Sequence, residues 1–139
     1  MSELEKIQQH IKDEISEYIE LSDISVLADV IDKHPIQTKS FGKIIVMRPL
    51  PISTINNADY PVFDKVEIKI IVQISSYKNM EKSILYYCET LCKKLHNFKI
   101  STKNNIGKIL LAKENPIEIT SKNSQEIATI NFIINGVKI

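Results

Sequence analysis

Cys88, Cys92 and His96 are the residues whose types and spacing come nearest to a chemical site. Steps of four place all three on one face of a helix, as ligands of a metal would be. A structural zinc site takes four ligands, usually gathered from separate segments. The chain holds no further cysteine, and its only other histidines are His10 and His34. Met80, Ile84, Cys88, Leu91, Cys92 and Leu95 follow helical spacing. A free cysteine packs as a small hydrophobe, so the simpler reading is a core-facing helix that binds no metal. A disulfide between the two cysteines is not expected in a reducing cytosol. Other chemistries fare no better. The carboxylates Glu3, Glu5, Asp13, Glu14 and Glu17 read as the solvated face of a helix, not as an acid–base pair. Tyr60, Tyr86 and Tyr87 lack the basic, glycine-rich setting of RNA-binding sheets. Gly42, Gly107 and Gly136 are too scattered for a GxGxxG or Walker loop, and neither HExxH nor GxSxG occurs. The expectation is a protein with no catalytic residue, cofactor or metal.

Composition bounds the class. A chain of 139 residues and 15.9 kDa suits one domain, residues 1–139, that can bury most of what it exposes when unfolded. With 43% hydrophobic and 25% charged residues it is globular in character, not disordered. Its 18 basic and 17 acidic residues nearly cancel, which removes any net field for DNA or anionic lipid. The opening MSELEKIQQHIKDEI lacks the apolar run of a signal peptide, and no stretch approaches the ~20 apolar residues of a membrane span. A cytosolic protein is expected.

The elements follow from periodicity. Leu4, Ile7, Ile11, Ile15, Tyr18 and Ile19 predict a first amphipathic helix, begun by a Ser2–Glu5 capping box. Its mixed polar face suits packing on a sheet, not lying on a membrane. Ser22 or Asp23 then caps a shorter helical turn through Val26, Leu27 and Ile31, which Pro35 ends. Lys43 to Met47 reads as a strand. Val66 to Ile74 is the clearest one, alternating Val66, Ile68, Ile70, Val72 and Ile74 against Glu67, Lys69, Ile71 and Gln73. Between them lies a long loop, Arg48 to Asp64, with Pro49, Pro51 and Pro61, which disfavour regular pairing. It also carries Leu50, Ile52, Ile55, Tyr60, Val62 and Phe63, too many apolar groups for a solvated linker. Either the domain's own surface or a neighbouring subunit covers them.

Ser76 or Asn79 can cap the second helix, Met80 to Leu95, whose Lys93, Lys94 and His96 suit the negative end of its dipole, with Asn97 as a left-handed stop. Lys99 to Thr102 is strand or loop, Asn104-Asn105 a turn and Ile106 to Ala112 a strand that Asn115-Pro116 breaks. Ile117 to Thr120 is a weak extended piece, and Lys122 to Ser124 a polar turn. The last strand, Glu126 to Ile134, sets Ala128, Ile130, Phe132 and Ile134 on one face. Asn135-Gly136 then bends the chain, leaving Val137 to Ile139 as a stub that can pair in trans. The predicted fold is α+β: a two-layer sandwich of one mostly antiparallel sheet with two long helices packed on one face.

Several phrases set on this order, "YPVFDKVEIKIIVQIS", "MEKSILYYCETLCKKLHNF" and "NPIEITSKNSQEIATINFIINGVKI", resemble the tail terminator or tail completion proteins of long-tailed bacteriophages and related contractile particles. The close of the helix at Leu95, His96, Asn97 and Phe98 and the alternating phrase Ile130 to Ile134 carry the resemblance, which spans about Ile7 to Ile139. It implies a homo-oligomeric ring, a hexamer in that family, that stops tail-tube polymerisation and offers a surface to the head connector. DNA would pass only as cargo in the lumen, no membrane would be involved, and the protein would move from host cytoplasm to virion tail. No catalytic residue transfers. Head-to-tail ring contacts need an exposed edge or arm, and Arg48, Leu50, Ile52, Tyr60, Val62 and Phe63 in the long loop are the candidate subunit interface. Two other readings stand beside this one. One is another phage neck or tube subunit. The other is a small ligand-binding or enzymatic α/β sandwich, whose pocket would need folding to gather Tyr86, Tyr87, His96 and Arg48.

Overall fold

The structure, a computed structural model, describes residues 1–32, 42–55, 59, 61–75 and 82–139. Helix α1 (Glu3–Ser16) is followed by a single 3-10 turn (Ile19–Leu21) and strands β1 (Ser25–Ala28), β2 (Gly42–Val46), β3 (Leu50–Thr54) and β4 (Val62–Ser75). Helix α2 (Ile84–Leu95) separates these from β5 (Lys99–Ser101), β6 (Ile106–Leu111), β7 (Ile117–Lys122) and β8 (Gln125–Lys138).

The two fourteen-residue strands β4 and β8 are the spine of the molecule, paired antiparallel from Val62–Lys138 to Ser75–Gln125. Strands β2 and β3 follow one another along the other edge of β4. Ile70 pairs with Val46, Met47 N–H donates to Lys69 C=O, and Glu67 pairs with Leu50. The break between β2 and β3 falls at Arg48-Pro49, where proline supplies no N–H to the ladder. Strands β6 and β7 run along β8 in the same interrupted way. There the chain loops out between Ala112 and Pro116, and Asn131 bridges the gap. Its backbone accepts from Ala112 N–H and donates to Pro116 C=O, and its side-chain amide donates to Asn115 C=O. The sheet is thus four long antiparallel lines. β1 is added in parallel beside β2, and β5 antiparallel beside β6.

The apolar phase of the spine is the one the sequence predicts. Val66, Ile68, Ile70, Val72 and Ile74 of β4 and Ala128, Ile130, Phe132 and Ile134 of β8 are buried. They form one core with Ile7, Ile11 and Ile15 of α1 and Ile84, Tyr87, Cys88, Leu91 and Leu95 of α2. The Ser2–Glu5 capping box opens α1, and Asn97 leaves α2 with a positive φ of 69°. Asn123 and Ser124, both at positive φ, turn β7 into β8 as a two-residue hairpin.

The expected sandwich of two long helices is overturned. The described residues are 48% strand and 24% helix, the helices run only fourteen and twelve residues, and the sheet curls into a half-barrel. Three segments account for the error. The turn of helix expected through Val26 and Leu27 is β1, held by the β2 ladder, while Ser22, Asp23 and Ser25 favour local backbone hydrogen bonds over helix. The proline-bearing loop contains β3, and the weak piece after Pro116 is the six-residue β7. Two smaller corrections concern α1 and the C-terminus. α1 stops at Ser16, so Ile19 leaves the apolar stripe and is 83% exposed. Val137 and Lys138 do not pair in trans: they extend β8 against Phe63 and Val62, and Val137 is buried. The suggested caps Ser76 and Asn79, with Met80 and Pro35, lie outside the described residues; Ser83 caps α2 by accepting from Tyr86 N–H. Among the described residues no helix is long and apolar enough to cross a membrane.

The first turn of α1 is fastened to the far end of the sheet through Glu3. Its buried carboxylate accepts from the Thr102 hydroxyl and the Asn105 amide, and Asn105 also holds both backbone groups of Lys138. The Thr102 and Asn105 hydrogen bonds, with a smaller contribution from Lys6, outweigh desolvation and hold this carboxyl below its ordinary 4.5. A depressed folded-state pKa gives stability that is present above the unfolded value and lost as pH falls through the folded one. Urea midpoints should therefore drop more steeply below pH 4.5 in the wild type than in Glu3→Gln. Parallel curves for the two proteins would contradict this role.

Candidate functional site

The outer face of the spine, opposite the helices, carries Lys65, Glu67, Lys69, Ile71, Thr129, Asn131 and Ile133, exposed or half-buried. Its troughs mix Arg48, Lys69 and Lys113 with Asp29, Glu67, Glu114 and Glu118, so among the described residues no stripe of a single sign crosses this face. Lys69 is paired with Glu67 at 3.5 Å.

The strongest surface feature is the arm at β3. Leu50, Ile52 and Ile55 are 56%, 55% and 46% exposed. Large aliphatic side chains standing together on an edge strand are what native proteins ordinarily avoid or cover. Among the described residues the arm is held from one side only. It pairs with β4 through Leu50–Glu67, Pro51–Val66, Ser53–Lys65 and Thr54–Phe63, with a bulge at Ile52, and Ile55 N–H donates to Val62 C=O. Among the described residues no strand lies on its other side. Prolines thus did not prevent pairing, contrary to expectation. Pro51 sits on an edge strand, where a missing N–H is tolerated, and Pro49 and Pro61 fall just outside the strands.

The six candidate interface residues separate. Leu50 and Ile52 are exposed, and Arg48 is solvated beside Asp29 at 3.8 Å. Val62 is only 8% exposed and Phe63 is half-buried against the core, so the domain itself covers both. Tyr60 lies outside the described residues. Ile55, noted in the sequence as apolar but not placed in the interface, joins the exposed set. Val62 does not follow from the phase of the strand, because the even-numbered Asp64 between it and Val66 is exposed while Phe63, opposite Val137, packs on the core.

Cys88 and Cys92 lie on α2 as parts of the packing, whereas His96 follows the last helical residue and is exposed. Cys88 is fully buried, Cys92 partly, and His96 Nδ1 accepts from Leu111 N–H at 3.0 Å. Among the described residues no group of three or more His, Cys, Asp or Glu is placed to hold a metal. Burial, with smaller contributions from Cys92 and Glu89, pushes the Cys88 thiol up to about 11, and burial raises Cys92 as well. Since the thiolate is the nucleophile, Cys88 should resist alkylation at pH 8 until the protein unfolds; rapid labelling of native Cys88 would contradict its place in the core. Replacing both cysteines with alanine should cost from a few tenths to ~2 kcal/mol and leave assembly unchanged.

Tyr86, Tyr87, His96 and Arg48 are not gathered into a pocket. Tyr87 is buried with its hydroxyl donating to Asp23 at 2.8 Å, and Arg48 lies in a trough on the other face of the sheet. Nothing in the pattern of residues singles out Gln8, whose buried amide ties α1 to Asp29 C=O at 2.8 Å and Val46 C=O at 2.9 Å.

No family model matches the chain, and no curated protein does. Among solved structures, one known only by a sequence identifier aligns over 96% of this chain and 92% of its own, with a TM-score of 0.66 at 11% identity. At that identity the likeness speaks for the fold alone.

Proposed function

We propose that this chain is a structural subunit that assembles with copies of itself into a ring, in the manner of the phage tail terminators its sequence resembles. The ring would cap a tail tube, end its polymerisation and offer a surface to the head connector. The observation that carries this reading is the exposed aliphatic edge at β3, Leu50, Ile52 and Ile55. Burying such side chains in a partner is favourable by roughly 25 cal/mol per Å² removed from water. A DNA conduit would be expected to show a stripe of one sign, and the mixed charges of the outer face depart from that expectation. Light scattering across concentration tests the reading: mass should rise to a plateau at a fixed multiple of 15.9 kDa. A monomer mass at every concentration would refute it.

A further inference from the structure

The four-line sheet leaves two stretches of edge open, and they lie diagonally across the molecule. On the β4 side, β1 covers β2, but among the described residues nothing pairs with the far side of β3. On the β8 side, β5 covers β6, and among the described residues nothing pairs with the far side of β7. The end strands β1 and β5 are short, and α1 packs against both. Among the described residues β3 and β7 have no such cover. Both are mostly exposed and each shows aliphatic side chains, Leu50 and Ile52 on one and Ile119 on the other. Both present a row of backbone groups to solvent, which is a template for another strand.

Their directions decide which strand. β3 runs antiparallel to β4, β4 to β8 and β8 to β7, so β3 and β7 run in opposite senses. When one copy is set beside another in the same orientation, β3 of the first meets β7 of the second antiparallel, and the alternation of the sheet continues unbroken. The register fixes an offset as well. β3 spans β4 residues 63–67, whereas β7 lies level with β4 residues 70–75. Neighbours must therefore shift by seven to eight residues along the strand, about 25 Å at 3.3 Å per residue. A closed assembly absorbs such a stagger by tilting its strands, as barrels do.

We infer that β3 of each subunit adds to the free edge of β7 on the next copy, a heterologous, staggered contact that continues the sheet around the assembly. The inference rests on the self-assembly proposed above and names its two surfaces. It is tested with Ile52→Cys and Thr120→Cys in a Cys88→Ala/Cys92→Ala background first shown to assemble by light scattering, using a short bis-maleimide. The double variant should give a ladder of cross-linked species beyond the dimer. Ile52→Cys alone and Thr120→Cys alone should stay at monomer mass, and their equimolar mixture should stop at the dimer. Without any substitution, amide exchange in Leu50–Thr54 and Ile117–Lys122 should slow together, at least tenfold, as concentration crosses the assembly midpoint. Dimers from Ile52→Cys alone would show β3 pairing with itself and overturn the inference while sparing self-assembly. An assembled double variant with no ladder, or slowing at β3 without β7, would overturn it too. A chain monomeric by light scattering would remove the underlying reading instead.

Discussion

Gly42→Ala is expected to destabilise the fold by on the order of 3 kcal/mol, lowering the melting temperature by roughly 10 °C. Gly42 opens β2 opposite Ile74 with φ at +153°, a conformation that side-chain-bearing residues rarely adopt. An added Cβ would lie 2.1 Å from the Gln73 carbonyl oxygen and 3.0 Å from the Ile74 Cα. Both are backbone atoms of the central strand, so no rotamer change relieves the clash. Either β2 lifts away, uncovering Ile44 and Val46, or β4 distorts where it also meets β8. Gly107→Ala is the control: its Cβ would meet the Ile134 side chain at 3.6 Å and the Asn135 carbonyl oxygen at 3.9 Å, both ordinary contacts, and stability should change by less than about 1 kcal/mol. Denaturant melts of the two variants make the comparison, and equal midpoints would contradict the account of how β2 docks.

Leu50→Asp combined with Ile52→Asp should leave the subunit folded and abolish its assembly. Both side chains are more than half exposed in the single chain, so substitution forfeits little internal packing and should move stability by no more than about 1 kcal/mol. In an assembly the same positions would be desolvated. A carboxylate there loses the aliphatic contact and bears the cost of burying an unpaired charge. At 1.4 kcal/mol per tenfold, a combined loss of about 3 kcal/mol or more weakens association at least 100-fold. Equilibrium sedimentation measures it. A variant that assembles at the wild-type concentration would show that the arm is not the contact.

How far the sequence reveals this molecule depends on where two signals agree. In β4 and β8, alternation of isoleucine and valine with polar groups matches a sheet buried on one face, and both strands were legible with their phase. Capping at Ser2 and the stop at Asn97 were legible because side-chain chemistry fixes them locally. β1 was not, since Ser25–Ala28 is too short for a period to show and a partner strand stabilises it. β3 was hidden by Pro49 and Pro51, which weigh against a strand unless it is known to be an edge. β7 was underestimated, although Ile117 and Ile119 alternate with Glu118 and Thr120 ahead of the Asn123-Ser124 turn. These three strands turn the expected helix-covered sandwich into a mostly β half-barrel. The arm was partly legible: its apolar residues were visible, but dividing them between core and solvent required knowing that Val62 and Phe63 already belong to β4.

Native mass spectrometry of the wild-type protein, at concentrations spanning its association, tests the central claim most directly. A ring-forming subunit should appear as monomer at low concentration and as one dominant species of fixed subunit number at high concentration, with the Leu50→Asp/Ile52→Asp variant remaining monomeric throughout. A 15.9 kDa species at all concentrations, or an open series of masses with no preferred size, would contradict it.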